Sequence, residues 1–283
     1  MRLGMSLIVR DEADIIAENI AFHAKMGVDA FAVIDNGSKD GTREILENLS
    51  SSYDLDLFDD RGPFEQERQA TFLAHHLSEH QNAGWVISND ADEFWLPKSG
   101  NLKSLIDPSR PVLAVERRNI LPRKADVADP SYRFYYNVML VDKPYGQHPP
   151  SPDPNQPLLF QIMLRTLPQK VVCELDGLQS ISKGNHHIRH DAGPPRPTDD
   201  ALIFHYQIRS YKNFDSKIRN HGERLHQAPD GQSWHLRRWH GLYLAGRLRD
   251  EYESLLLDRE DAQKLLAAGV INETRIIADL FCA

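Results

Sequence analysis

The sequence has few cysteines, no long hydrophobic run and no N-terminal leader pattern. Its 283 residues include two cysteines, Cys173 and Cys282, which are too few for a disulfide framework, so we expect both to be reduced. No apolar run approaches the ~20 residues of a membrane-spanning helix. No signal peptide is predicted, because Arg10, Asp11 and Glu12 interrupt the short apolar stretch at the N-terminus. We therefore expect a cytoplasmic protein without a transmembrane segment.

Positive charge and the common phosphate-binding motifs are also lacking. The net charge of −8 argues against a nucleic-acid-binding surface. Neither Gly-x-Gly-x-x-Gly nor Gly-x-x-x-x-Gly-Lys occurs, which excludes the dinucleotide fingerprint and the P-loop. The hydrophobic fraction of 41% and the charged fraction of 26% are those of a soluble globular protein. An anionic substrate would therefore need local cations or a metal.

The most informative stretch present is residues 85–95, Trp-Val-Ile-Ser-Asn-Asp-Ala-Asp-Glu-Phe-Trp. Its first three residues form a short apolar run, typical of a buried parallel strand. Asp90 and Asp92 follow where that strand should end, and open α/β sheets bind ligands at the carboxyl ends of their strands. Two carboxylates suit Mg²⁺ or Mn²⁺, which in turn suit phosphates. The alternative interpretation is an acidic, solvated turn.

The first 90 residues alternate between strand and helix patterns. Gly27 ends the first predicted helix, whose apolar stripe is Ile16, Ile20 and Ala24. This alternation predicts an α/β fold with a doubly wound, mostly parallel sheet. The predicted strands are 3–9, 30–34, 54–58 and 85–87, and the helices begin at Arg10, Thr42 and Glu65.

A polar loop follows the second predicted strand, with the sequence Asp35-Asn-Gly-Ser-Lys-Asp-Gly-Thr42. Gly, Asn, Asp and Ser favour turns because they tolerate positive φ or hydrogen-bond to their own backbone. One interpretation is a strand-to-helix connection whose last polar residue caps the helix. The other is that Asp35 presents its carboxylate to a ribose or base.

Six features occur in order along about the first 95 residues: Val9-Arg-Asp-Glu, Asn19-Ile-Ala-Phe-His23, Gly27-Val-Asp, Ile34-Asp-Asn-Gly-Ser-Lys-Asp-Gly-Thr42, Arg68 and Asn89-Asp-Ala-Asp-Glu-Phe94. Together they resemble the opening of glycosyltransferase family 2-like proteins. The resemblance implies a GT-A fold, a nucleotide-diphosphate sugar donor, a divalent cation and a glycan or other hydroxyl acceptor.

The resemblance also implies roles for individual residues. Asp92 would bind the metal, and Asp90 would serve the metal or the ribose. A late histidine often completes the metal site of GT-A enzymes. His205, after the apolar run 202–204, is the first candidate, with His187 as the alternative and His186 beside it. Each histidine could instead be an ordinary buried or surface residue. The nucleotide contacts would be Arg10, Asp35, Ser38, Arg68 and Asp90.

The pattern weakens beyond residue 96. We predict a GT-A-like domain over residues 1–210 and a helical C-terminal extension over 211–283, packed on it. Trp234 and Trp239 could stack on a sugar ring, but we expect them to belong to the core. The remaining predicted elements are strands at 112–115, 132–141, 158–164 and 170–173, an apolar strand that ends at His205, and a proline-rich surface loop at 142–157.

The function predicted from these features is metal-dependent glycosyl transfer, inverting by family analogy. A general base would deprotonate the acceptor hydroxyl, and the candidates are Glu93, Asp176 and Asp191. One alternative is a sugar nucleotidyltransferase, although the Gly- and Arg-rich N-terminal loop usual in that class is not found here. The other is a non-catalytic nucleotide- or glycan-binding domain, against which the intact carboxylates argue.

Overall fold

The structure, a computed structural model, describes residues 1–62, 65–129, 131–136, 138–146, 160–225 and 234–282. Within these residues the strands are β1 (Leu3–Val9), β2 (Ala30–Asp35), β3 (Leu55–Asp59), β4 (Trp85–Asn89), β5 (Glu93–Pro97), β6 (Val112–Leu121), β7 (Val138–Val141), β8 (Lys170–Glu174), β9 (Leu178–Ile181), β10 (Ile188–His190), β11 (Arg196–His205) and β12 (Ile271–Thr274). The α-helices are α1 (Ile16–Lys25), α2 (Thr42–Leu49), α3 (Gln66–Gln81), α4 (Lys124–Val127), α5 (Tyr211–Leu225), α6 (Trp234–Leu244), α7 (Leu248–Ser254), α8 (Arg259–Ala267) and α9 (Ile276–Cys282). Short 3-10 helices occupy Leu102–Leu105, Phe160–Leu164 and Lys183–Asn185.

The chain forms two compact units. Unit 1 consists of Met1–Arg117 and Pro168–His205, and unit 2 of Arg118–Leu167 and Tyr206–Ala283. The helices that follow residue 210 therefore share their unit with residues 118–167. The division of the chain at residue 210 stays a prediction.

The sheet of unit 1 confirms the α/β class. Strands β3, β2, β1 and β4 lie side by side in that order and run parallel, and each lies within two residues of its predicted bounds. The rest of the sheet differs from the expectation of mostly parallel pairing. Strand β8 pairs antiparallel with β4 and β6, and β5 pairs antiparallel with β11, so the sheet is mixed.

Helices α1 and α3 cover opposite faces of this sheet. Alternate residues of a strand point to opposite faces. Gly4 of β1 faces Leu77 of α3 so closely that a Cβ atom there would lie 2.9 Å from a leucine methyl carbon. Its neighbour Met5 accepts a weak hydrogen bond from the amide of Asn89, which also contacts Asn19 of α1. The sheet is therefore doubly wound, as the alternation of elements predicted.

Helix α1 begins six residues later than predicted, at Ile16 rather than Arg10. The residues in between join two loops instead. The backbone N–H of Glu12 donates to the hydroxyl of Thr42, the first residue of α2. The backbone N–H of Ala13 donates to the carboxylate of Asp40, in the loop after β2. These bonds hold residues 11–13 outside the helix. The helix start was predicted from the acidic residues at 11 and 12, and such a local pattern carries no information about contacts with residues 40 and 42.

Unit 2 is mainly helical, with its own apolar core. Trp239 lies in that core against Phe214, which confirms the expectation of a packing role. Residues 160–164 form a 3-10 helix, not the predicted strand, and β12 interrupts the region predicted as helical. Trp234 begins α6, but its side chain and most of the proline-rich loop lie outside what the structure describes, so those two predictions stay predictions. No helix of the described chain has the length and hydropathy required to cross a bilayer.

Candidate functional site

Acidic and basic side chains meet at one edge of the unit 1 sheet. Asp35 is the last residue of β2, and Asp90 and Asp92 come directly after β4. Because β1, β2 and β4 are parallel, their carboxyl ends share this edge. Strand β8 runs antiparallel to β4, so its first residue, Lys170, lies at the same edge. The arrangement places the predicted acidic residues where open α/β sheets bind ligands.

The turn that carries Asp90 and Asp92 is held by buried amides. The side-chain NH₂ of Asn19 donates to the carbonyls of Ala91 and Glu93, both at 2.9 Å. Asn89 donates to the carbonyl of Glu93 and accepts from the indole N–H of Trp95 at 2.9 Å. These bonds satisfy the carbonyls of a sharp turn inside the protein. The carboxylates therefore project from a fixed backbone.

His23, one helical turn after Asn19, supports the same segment. Its Nδ1–H donates to the carbonyl of Asn19 at 2.8 Å, and its Nε2 accepts from the backbone N–H of Trp95 at 3.1 Å. This pattern requires a neutral ring, and burial lowers the pKa of His23 to about 3. The resemblance included Asn19 and His23 without a role, and the structure shows that both brace the acidic turn.

Asp92 and His205 lie next to each other, as expected from strand polarity. Nε2 of His205 is 3.7 Å from Oδ2 of Asp92. The proximity arises because β5 and β11 pair antiparallel, with His205 opposite Glu93. Both side chains are buried, and each could offer a donor atom to a cation. The proximity is confirmed, whereas a metal-binding role for the two residues stays a prediction.

Asp90 has different neighbours. Nζ of Lys170 lies 2.5 Å from its Oδ2, and Nδ2 of Asn185 lies 3.2 Å from its Oδ1. Lys170 also lies 3.3 Å from Oε1 of Glu93, to which Arg117 donates at 2.5 Å. Two acids and two bases thus form a network beside Asp92 in which all but Asp90 are buried. Lys170, Arg117 and Asn185 were not among the predicted site residues. Lys170 precedes an apolar strand, and that position alone could have marked it as a charge at the sheet edge.

The three candidate bases differ in accessibility. Glu93 is 0% exposed, and both of its ion-pair partners contact one carboxylate oxygen. Burial raises the pKa of Glu93, and Lys170 and Arg117 oppose that rise. Asp176 and Asp191 are exposed, and Asp191 accepts a hydrogen bond from Gln179. A buried, paired carboxylate is poorly placed to meet an acceptor hydroxyl.

Asp35 is tied to the loop that follows it. The backbone N–H and the hydroxyl of Ser38 both donate to Oδ1 of Asp35, at 3.0 and 2.5 Å. Ser38 in turn accepts from the backbone N–H of Asp11 at 3.0 Å. The hydroxyl of Ser38 is therefore occupied in joining two loops. Within the described residues both hydrogen bonds to the Asp35 side chain fall on Oδ1, which leaves Oδ2 for a ligand.

The two predicted arginines also lie near this edge. Arg10 directly follows β1 and is half-buried. Arg68 lies in the first turn of α3, where its guanidinium pairs with Glu65 at 2.6 Å and with Asp60 at 3.3 Å. Asp60 comes just after β3, so Arg68 does face the sheet edge. Its side chain is 62% exposed, so solvent screens these pairs.

His186 and His187 lie in the turn before β10. His186 donates from Nδ1 to the carbonyl of Gln169 at 3.0 Å, and burial lowers its pKa to about 4. His187 is exposed, and its backbone N–H donates to the hydroxyl of Ser182. Of the three candidate histidines, His205 is the one that the structure places beside Asp92.

A narrow crevice opens between β1, α3 and the acidic turn, and Asp90 lines it. Two other buried polar atoms of its lining, Oγ of Ser6 and Oδ1 of Asn185, have no hydrogen-bond partner among the described residues. Buried polar atoms normally bond to protein, water or ligand. The crevice is too narrow to admit a water molecule, so a ligand would meet only the groups at its mouth.

The donor set fits a divalent cation in part. No group of three His, Cys, Asp or Glu side chains suited to a metal ion occurs in the described part of the chain. Asp90, expected as a possible ligand, has both oxygens engaged by Lys170 and Asn185. Asp92 and His205, 3.7 Å apart, form a two-residue donor set. Such a set suits Mg²⁺ or Mn²⁺ when phosphate oxygens of a substrate supply further ligands.

Comparison with known sequences gives partial matches. No protein-family profile matches the chain. A glycosyltransferase family 92 protein of Oryza sativa subsp. japonica is 31% identical over 88 residues, which cover 31% of this chain and 15% of that protein. A glycosyltransferase family 92 protein of Arabidopsis thaliana is 30% identical over 105 residues, covering 34% of this chain and 18% of that protein. The chain thus matches less than a fifth of the length of either relative.

Solved structures of TarS from S. aureus show a distant likeness. One, of residues 1–349, has a TM-score of 0.42 and 13% identity, covering 89% of this chain and 72% of that 1–349 chain. The complex of the same fragment with UDP-GlcNAc has a TM-score of 0.43 and 12% identity, and the match covers 89% of this chain and 73% of that one. The two plant relatives belong to family 92, so the resemblance to family 2-like proteins stays a prediction.

Proposed function

We propose that the chain is a glycosyltransferase that binds a nucleotide-diphosphate sugar at the carboxyl edge of β1, β2 and β4. The observation that carries this proposal is the pairing of Asp92 with His205 beside Asp90 at that edge. The partial identity to two plant glycosyltransferases supports the same reaction class.

In this proposal Asp92 and His205 hold Mg²⁺ or Mn²⁺. A bound cation would neutralise the charge that develops on the diphosphate leaving group. Asp35 would contact the nucleotide through Oδ2, while Ser38 fixes the other oxygen. Arg68 would supply positive charge at the same edge. The fixed backbone of residues 89–95 keeps the carboxylates in place, so little reorganisation accompanies donor binding.

The acceptor in this proposal is a hydroxyl group, and transfer is a direct displacement with inversion. The base that deprotonates the hydroxyl must be reachable from solvent. Asp176 and Asp191 are exposed, but both lie past the far end of β8, at the sheet edge opposite Asp90, and Glu93 is buried, so none of the three candidates is placed to act as this base. We place the acceptor next to the crevice that Asp90 lines.

Calorimetry with nucleoside diphosphates tests the proposal. UDP is the first probe because TarS has been solved with UDP and UDP-GlcNAc, and GDP, CDP and ADP complete the panel. We expect at least one to bind more tightly with Mn²⁺ than with EDTA. If none binds under either condition, the proposal is wrong.

Product analysis separates this function from the two alternatives. A glycosyltransferase releases nucleoside diphosphate from a nucleotide sugar. A sugar nucleotidyltransferase instead releases pyrophosphate from a nucleoside triphosphate and a sugar phosphate. A non-catalytic domain binds its ligand and releases neither product. Asp92→Asn is the control, and it should abolish release of nucleoside diphosphate without unfolding the protein.

A further inference from the structure

Lys170 is a fully buried cation at the candidate site. Its side chain is 0% exposed, and it lies at the first position of β8. A buried ammonium is unfavourable unless it is paired and hydrogen-bonded. The described structure provides two carboxylates, Asp90 at 2.5 Å and Glu93 at 3.3 Å. Glu93 pairs with both Lys170 and Arg117. Asp90 pairs with Lys170 and not with Arg117.

Asp90 is held from two sides. Lys170 donates to Oδ2, and the Asn185 amide donates to Oδ1. Asn185 is itself fixed, because it is buried at a positive φ of 57° in the turn that follows β9. Gln66 of α3 accepts a hydrogen bond from the backbone N–H of Gly184 in that turn, at 2.9 Å. The orientation of the Asp90 carboxylate is therefore set by side chains from two other segments.

This geometry separates the tasks of the two aspartates. An ammonium against Oδ2 of Asp90 repels a divalent cation from the same oxygen, and burial strengthens that repulsion. A carboxylate has about four lone-pair positions, of which the two contacts use two, and the Asp90 side chain remains 35% exposed. Asp90 can therefore still accept hydrogen bonds, through its exposed part, from hydroxyl groups of a ligand at the mouth of the crevice.

We propose that Lys170 is a positioning residue that holds Asp90 as an acceptor for hydroxyl groups of the donor and leaves the cation to Asp92 and His205. This rests on the proposed function, because the hydroxyl groups belong to the bound nucleotide sugar. Ser6 and Asn185 supply further polar atoms in the same crevice.

A double-mutant cycle between Lys170 and Asp90 tests the proposal, with UDP binding in Mn²⁺ as the readout. Loss of a hydrogen bond to a charged group predicts that Asp90→Asn and Lys170→Met each weaken UDP binding about tenfold or more. If Lys170 acts through Asp90, the double variant should bind UDP within about twofold of Asp90→Asn alone, because the effects of coupled residues do not add. Lys170→Arg keeps the charge and should restore most of the affinity.

Binding of Mn²⁺ without nucleotide provides a second readout, followed by electron paramagnetic resonance of the free ion. Asp90→Asn should leave Mn²⁺ affinity unchanged, whereas Asp92→Asn should remove it. This arm needs no variant of Lys170, so it remains decisive if Lys170→Met fails to fold. The matched control is the ion pair of Lys103 with Asp29, at 2.7 Å, in the same unit. Lys103→Met should leave UDP and Mn²⁺ binding unchanged.

Three outcomes overturn the proposal in different ways. Additive losses of UDP affinity in the double variant would show that Lys170 acts independently of Asp90. Loss of Mn²⁺ affinity in Asp90→Asn would make Asp90 a metal ligand. If the parent protein binds none of UDP, GDP, CDP and ADP, the proposed function fails and this inference fails with it. The first two outcomes leave the proposed function intact.

Discussion

Oδ2 of Asp92 and Nε2 of His205 lie 3.7 Å apart, although they come from distant parts of the sequence of unit 1. The antiparallel pairing of β5 with β11 brings them together. Neutral imidazole and carboxylate are both good donors for Mn²⁺. The pair is therefore the centre of the site on which the proposed function depends.

Substitution of His205 should weaken Mn²⁺ binding, whereas substitution of His187 should not. We expect His205→Ala to lower the affinity for Mn²⁺ by more than the roughly tenfold loss that follows removal of an outer-shell partner. His187 is exposed and serves as the matched control. Electron paramagnetic resonance of free Mn²⁺ measures both variants. If the two variants bind Mn²⁺ with equal affinity, His205 is not a metal ligand.

Asp35 should contribute to nucleotide affinity without taking part in the displacement. Asp35→Ala removes an acceptor of charged-group hydrogen bonds, so we expect a loss of about 1.5–3 kcal/mol in binding of the nucleoside diphosphate. Calorimetry measures the change. The control is Asp40→Ala in the same loop, because Asp40 is exposed and braces Ala13 and Thr42. If both variants bind alike, Asp35 serves only to order the loop.

His23 should make stability depend on pH. Its folded-state pKa of about 3 lies below its ordinary value of 6.5, so the unfolded chain binds the extra proton. The stabilisation is therefore complete above pH 6.5 and is lost as the pH falls towards 3. Between pH 7 and pH 5 we expect the free energy of unfolding to fall by about 2 kcal/mol through this residue.

Urea denaturation at both pH values isolates that effect when the parent is compared with His23→Gln. The variant should be less stable at pH 7, because the hydrogen bonds to Asn19 and Trp95 are altered. It should also lose less stability than the parent on acidification. Equal losses in the two proteins would mean that His23 is not the titrating group.

Glu93 should prove structural and not catalytic. Glu93→Gln leaves Lys170 and Arg117 buried without their shared carboxylate, and breaking a buried pair costs about 3–5 kcal/mol. Urea denaturation measures this loss. The control is Glu47→Gln, which removes an exposed pair with Arg43 at 2.7 Å and should change stability by less than about 1 kcal/mol. A variant of Glu93 that stays fully stable but no longer turns over its substrate would support the catalytic interpretation.

The amino-acid sequence by itself determined the parallel strands β1 to β4, helix α2 and the position of the acidic turn. These features depend on local patterns: short apolar runs, turn-forming residues and helix periodicity. It also predicted that His205 would emerge beside Asp92, because the apolar run 202–204 has one polar end. Strand polarity carries that information without any knowledge of the partner strand.

Only the tertiary structure decided which charges neutralise one another. Lys170 follows Asp90 by eighty residues, and its contact depends on the antiparallel direction of β8 against β4. The same holds for Asn19, whose hydrogen bonds to the acidic turn need α1 to pack under it. The late start of α1 likewise depends on bonds to the loop after β2. Local sequence patterns record propensity and burial, whereas hydrogen bonds and ion pairs between distant segments depend on how the whole sheet is assembled.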